Sequence, residues 1–148
     1  MNLTKKNICV AVLLASFGSV ALAHGGVKNA AVMARMEAMK SIGDAMKVMG
    51  GMAKGATAFD ATTARAAAAD VARFAAQTPA LFKAPESDPK TEALPEIWER
   101  FDDFTAKAEQ TESLALALSR TLETPEDLNK GLMQLGGSCK ACHKVYRK

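Results

Sequence analysis

Near its C-terminus the chain reads Cys139-Lys140-Ala141-Cys142-His143, two thiols and an imidazole in the order C-x-x-C-H. That order is the attachment signature of c-type haem. On a helix, residues at i, i+3 and i+4 share a face. Two sulfurs can then add to the vinyl groups at one porphyrin edge while the imidazole reaches the iron. Other chemistry fits less well. A structural zinc site needs four Cys or His ligands, and the only further histidine is the distant His24. A thioredoxin-like redox pair needs a strand–helix context, and the pattern shows none. A chance motif closing a local disulfide is disfavoured by the export signal and by the inward-facing position of the site.

His143 gives iron one nitrogen, which leaves the opposite axial position to be filled. His24 stands at or beside the processed N-terminus, where mobility makes it a poor ligand. Methionine is the natural alternative, and six of the eight methionines lie between Met33 and Met52. Most of these read as adaptable core filler. Met39 is central on the inner stripe, with Met36 and Met46 one and two turns away on the same face. Helical spacing alone leaves all three open.

Four helical stretches must position these groups. From about Lys28 to Lys54, Val32, Arg35, Met36, Met39, Ile42, Gly43, Met46, Met49, Gly50 and Ala53 fall on one face. Gly55 suits the position just beyond that helix. Asp60 can cap an Ala-rich second helix to about Gln77, with Ala64, Ala67, Val71 and Phe74 inward. Its small side chains, with Gly43, Gly50 and Gly51, are expected to let the first two helices approach closely. Residues 78–95 hold four of the five prolines and no period, and so form the long connection. Pro95 suits the first turn of a third helix with Ile97, Phe101, Phe104, Ala108, Ala115, Leu118 and Leu122 as its stripe. Thr124-Pro125-Glu126-Asp127 is a strong start signal for the last helix. That helix carries Leu128, Leu132, Leu135, Cys139, Cys142, His143 and Tyr146 on one face. Two short connections and one long one predict an all-α, antiparallel, up-down four-helix bundle with one c-type haem near the C-terminus.

The 148-residue length and 5% aromatic content agree with a single helical domain. Lys5 and Lys6, an apolar run from Ile8 to Val20, and Ala21-Leu22-Ala23 read as a secretory signal peptide cleaved after Ala23. The run is shorter than the ~20 apolar residues of a membrane span. The organisation is therefore residues 1–23 as a cleaved leader and 24–148 as the haem domain, exported to the periplasm, with no membrane span in the mature chain. Export agrees with the motif, because c-type haem is attached outside the cytoplasm. Cleavage lowers the formal net charge from +3 to +1 by removing Lys5 and Lys6. No basic stripe suggests nucleic-acid binding.

Over nearly all its mature length the chain resembles the cytochrome c′ family. The resemblance rests on Cys139-Lys140-Ala141-Cys142-His143 with Tyr146-Arg147 after it, on Pro95-Glu96-Ile97-Trp98, and on Arg35-x-x-x-Met39. The segments Met39-Lys40-x-x-Gly43 and Gly50-x-x-Ala53-Lys54-Gly55 look like its low-spin, six-coordinate branch, the cytochrome c-556 type. Most members have an apolar residue where this chain has Met39. The resemblance implies one covalent haem c on Cys139 and Cys142, His143 as proximal iron ligand and Met39 as distal ligand. It places Arg35 and Arg147 beside the haem, although each also reads as a solvated surface arginine. The small faces of helices one and two resemble the surface by which relatives form homodimers.

The expected function is electron transfer by a six-coordinate haem, whose saturated iron has no vacancy for substrate. The alternative is nitric oxide or another small gas at an open distal site. Peroxidase-like catalysis lacks a distal His as acid–base partner, so the chain is read as a non-enzyme. The sequence leaves its redox partner proteins unidentified.

Overall fold

The computed structural model describes residues 26–148, so the leader and His24 lie outside the described residues. Helix α1 spans Ala30–Ala53 and α2 spans Ala61–Leu81. A single turn, α3, covers Glu96–Glu99, followed by α4 at Phe101–Thr121 and α5 at Pro125–Tyr146. The long helices α1, α2, α4 and α5 form the four-helix bundle, in which α2 packs on α1 and α4, and α5 on α4 and α1. Among the described residues the only β pairing is one antiparallel bridge, Ala93 to Arg147.

Local chemistry sets most helix ends. Asn29 caps α1 by accepting from the Val32 amide at 3.0 Å, and Asp60 caps α2 by accepting from Thr63 at 2.6 Å. Thr124 and Asp127 form the reciprocal capping box expected at α5, with Pro125 in the first turn. Gly55, at φ +70°, takes the left-handed position after α1.

Three expectations need correction. The second helix continues past Gln77 through Pro79 to Leu81. In that last turn, proline's missing amide leaves one carbonyl without its helical donor but does not end the helix. The long connection therefore begins at residue 82. The third helix is two pieces, broken at Arg100, which leaves helical geometry at φ −131°, ψ 47°. Just before the break, the half-buried Trp98 donates its indole N–H to the Phe82 carbonyl at 2.7 Å. Finally, a Cβ at Gly43 or Gly50 would touch nothing within 4 Å. Close approach comes instead from alanines, with Ala38 and Ala45 buried on α1, and Ala64, Ala67, Ala68, Ala72 and Ala75 on α2.

Two clusters make the core. The larger joins Ala45, Ala64, Ala67, Ala68, Ala72 and Ala115 to Met49, Val71, Leu118, Leu122, Leu128 and Leu135. Fully burying a side chain such as Met49 or Leu128 stabilises by about 1.5–3 kcal/mol. The smaller is aromatic: Phe82, Ile97, Phe104 and Tyr146, with Met39 and Cys142 packed against it. Phe74, expected inside, is only half-buried beneath the Arg73 guanidinium.

Candidate haem site

Where the aromatic cluster meets the bundle interior, the helices part around a cavity of about 700 Å³. This lies in the upper part of the ~300–1,000 Å³ range typical of cofactor pockets. Helix α5 contributes Cys139, Cys142 and His143, which the helical turn places on one face as expected. Helix α1 contributes Val32, Met36, Met39, Ile42 and Met46. These side chains are only half-buried, Val32 excepted, because one side of each fronts the cavity. Phe104, Ala108 and Thr111 of α4 and residues 90–93 of the long connection complete the wall.

The electrostatics of the α5 wall suit a covalently held metal macrocycle. Burial raises the pKa of the Cys139 thiol and pushes that of Cys142 up to about 11. That direction is opposite to the lowered thiol pKa of a redox-active pair. His143 is exposed at the cavity edge. Partial desolvation against the wall and then the neighbouring Arg147 cation nevertheless lower its pKa, opposed by Glu92, which favours the neutral imidazole that a metal requires. Two thiols and an imidazole thus share one wall of a mostly apolar cavity of cofactor size, and these residues fit haem c.

All three methionines left open by spacing line this cavity, but their other contacts differ. Met46 packs on the larger Ala/Leu core. Met39 packs on the aromatic cluster that also holds Cys142. Arg35 is 3% exposed, so the solvated alternative does not hold for it. Its guanidinium donates to the carbonyls of Leu81 at 3.0 Å, Glu86 at 2.8 Å and Ala84 at 2.5 Å, and lies over the rings of Phe82 and Trp98. Burial lowers its pKa, opposed by the Glu86 carboxylate. Arg147 is exposed at the cavity rim and pairs with Glu92 at 2.5 Å.

The family model described as Cytochrome C′ matches residues 30–147. The chain belongs to the cytochrome c′ family. A cytochrome c-556 of Agrobacterium tumefaciens (strain apple 185) is 36% identical, over 84% of this chain and 97% of its own. A cytochrome c′ of Pararhodospirillum photometricum is also 36% identical, over 77% of this chain and 93% of its own. The solved cytochrome c′ from Rhodopseudomonas palustris superposes with a TM-score of 0.76 at 29% identity, covering 82% of this chain and 98% of that one. Haem c, covalently attached, is the prosthetic group of this family and of this chain.

Several contacts around the cytochrome's cavity escaped the sequence reading, although Tyr146 itself was placed on the inward face of the last helix. Thr111 and Ser138 share a buried 2.6 Å hydrogen bond between α4 and α5. The signal for Thr111 was available, since it falls between Ala108 and Ala115 on the inward stripe of α4. The Tyr146 hydroxyl donates to Asp103 at 2.5 Å, and its ring meets Phe104 edge-on at 5.3 Å. Lys40, Lys90 and Lys107 also border the cavity. No period marks Lys90, because it lies in the connection.

Proposed function

We propose that the mature chain is a periplasmic monohaem cytochrome that carries single electrons through a six-coordinate haem, with His143 as proximal and Met39 as distal ligand. Cys139 and Cys142 hold the macrocycle by thioether bonds. The observation that carries this reading is Met39 on the wall of the same cavity as His143, packed against the cluster that contains Cys142. When bound, haem c supplies a one-electron iron couple, and Met/His ligation raises its potential. The chain's part is to hold the imidazole and thioether in place, keep bulk water out with the apolar walls of α1 and α4, and limit rearrangement between oxidation states. Export directed by residues 1–23 agrees with attachment outside the cytoplasm. A homodimer through α1 and α2 is supported by the exposed Met33 and Val48 on α1.

The second reading, a gas such as nitric oxide bound at an open distal site, draws on the similarity to a protein named cytochrome c′. It requires Met39 to turn away from iron. Absorption and electron paramagnetic resonance spectra of the holo-protein in both oxidation states, with carbon monoxide added to the reduced form, separate the two. Low-spin signals with little carbon monoxide binding are expected, and Met39→Ala is expected to give a high-spin haem that binds it readily. A high-spin wild type with ready binding refutes the electron-carrier assignment. A low-spin Met39→Ala moves the ligand to Met36, Met46 or Lys40, which share the cavity.

A further inference from the structure

The long connection, residues 82–95, is tied at both ends to the helices that carry the proposed axial ligands. At one end Arg35, one turn before Met39 on α1, donates to three carbonyls of residues 81–86. Those three oxygens converge on a single planar fork, a geometry that guanidinium satisfies and ammonium does not. Trp98 backs the arrangement by donating to the Phe82 carbonyl at 2.7 Å, with its ring under the same guanidinium. Further along, the Asp88 carboxylate accepts from the Lys28 and Asn29 amides at 2.9 and 3.1 Å, pinning the start of α1.

The other end is pinned to α5. The Leu94 amide donates to the Tyr146 carbonyl at 3.0 Å, and the Lys148 amide to the Glu92 carbonyl at 2.9 Å. The Glu92 side chain accepts from Arg147. These contacts begin three residues beyond His143. Between the two anchorages, residues 90–93 line the cavity.

We infer that residues 82–95 are a strap that sets the span between the Met39 stretch of α1 and the His143 stretch of α5, with Arg35 as its positioning residue. What the strap serves rests on the His143–Met39 reading above, whereas the strap itself rests on the hydrogen bonds. Arg35 then acts through the backbone that it gathers, not through its charge on a haem propionate. A propionate-binding arginine keeps part of its function when replaced by lysine. A carbonyl-gathering arginine does not, because one ammonium cannot bridge three oxygens spread over six residues.

The test compares holo-protein carrying Arg35→Lys or Arg35→Gln with wild type by two readouts. One is amide hydrogen exchange over residues 28–40 and 82–95, which reports local opening. The other is the low-spin fraction of the haem and its carbon monoxide uptake. Both substitutions are expected to speed exchange at least about tenfold in both segments, the factor that losing even one hydrogen bond to a charged group implies, and to raise the high-spin fraction. Recovery of wild-type behaviour by lysine overturns the inference in favour of a charge role, and so does wild-type exchange in both variants. Faster exchange with an unchanged haem spectrum overturns the positioning role. If wild type itself is high-spin, the axial reading is what has failed. Exchange then judges the strap alone, with acceleration supporting it and wild-type rates overturning it. Should the Arg35 variants not mature, Trp98→Phe removes one strap hydrogen bond while leaving an aromatic face. It is expected to shift both readouts in the same direction by a smaller factor, and wild-type values in it overturn the inference.

Discussion

The phenol of Tyr146 shows how one side chain near the haem motif reports on the fold around it. Burial first, and then the hydrogen bond to Asp103, push its pKa up to about 12 from an ordinary value of 10.0. The same bond is the leading cause of the lowered Asp103 pKa. A raised pKa means that the folded chain keeps its phenolic proton at pH values where the unfolded chain has lost it. The contribution to stability is complete below about pH 10 and is lost as pH rises towards about 12. Tyr146→Phe is therefore expected to cost about 1 kcal/mol at neutral pH, the usual worth of such a hydrogen bond. It is also expected to show a shallower loss of melting temperature than wild type between pH 10 and 12. Thermal melts of both proteins across that range check the point, and parallel curves would refute it. Nothing in the sequence singled out Asp103 as the partner. The interaction depends on α4 and α5 meeting 43 residues apart in the chain.

At the scale of elements, what was legible followed from periodicity and capping. The four long helices, the box at Thr124 and Asp127, and the shared face of Cys139, Cys142 and His143 are all local patterns, and all are present. The break at Arg100 was not legible, because the apolar stripe from Ile97 to Leu122 runs through it and the hydrogen bond beside it, Trp98 to Phe82, joins residues 16 apart in the chain. Nor could spacing separate Met36, Met39 and Met46, since all three do front one cavity. Arg35 was recognised as a residue of the site, but its partners lie in a segment without a period. Glycines show the same limit on α5. A Cβ at Gly131 would lie 2.4 and 2.6 Å from the two methyl carbons of the buried Leu118, so α4 and α5 approach closely there. At the exposed Gly137 a Cβ would meet nothing within 4 Å. Overpacking costs about 1–3 kcal/mol, while alanine regains about 0.8–1 kcal/mol of helix propensity over glycine. Gly131→Ala is expected to destabilise by about 1 kcal/mol and Gly137→Ala to stabilise by about 0.5–1 kcal/mol. Denaturant titration of the two variants reads both, and equal signs would show that the contact with Leu118 does not control helix approach.

For the whole molecule, net charge is a poor guide to how electrons reach the haem. Residues 24–148 carry only +1, so long-range steering by total charge is weak. Charge around the cavity is far less balanced. Arg35, Lys40, Lys90, Lys107 and Arg147 border it against a single carboxylate, Glu92, and the chain beyond Asp127 holds basic but no acidic side chains. Several of these cations are partly neutralised, Lys40 by Asp44, Lys107 by Asp103 and Arg147 by Glu92. The two propionates of a haem would offset the remaining two, Arg35 and Lys90, so the surplus of positive charge near the motif comes from Lys140, Lys144 and Lys148 on the acid-free chain beyond Asp127. Local potential of this kind governs the rate of encounter more than the strength of a complex. An anionic one-electron reagent should therefore oxidise or reduce the holo-protein several-fold faster, relative to its intrinsic reactivity, than a cationic reagent of similar size at low salt. The advantage should fade once the ionic strength passes about 0.15 M, where the screening length falls to about 8 Å. Among the described residues Lys90 and Lys144 stand outside the ion pairs, one in the strap and one on α5 next to His143 in the chain. Reversing both, as Lys90→Glu with Lys144→Glu, is expected to invert the reagent preference without changing the haem spectrum. Stopped-flow rates against ionic strength measure this, and a preference insensitive to salt or to the reversal would place electron entry away from the cavity rim.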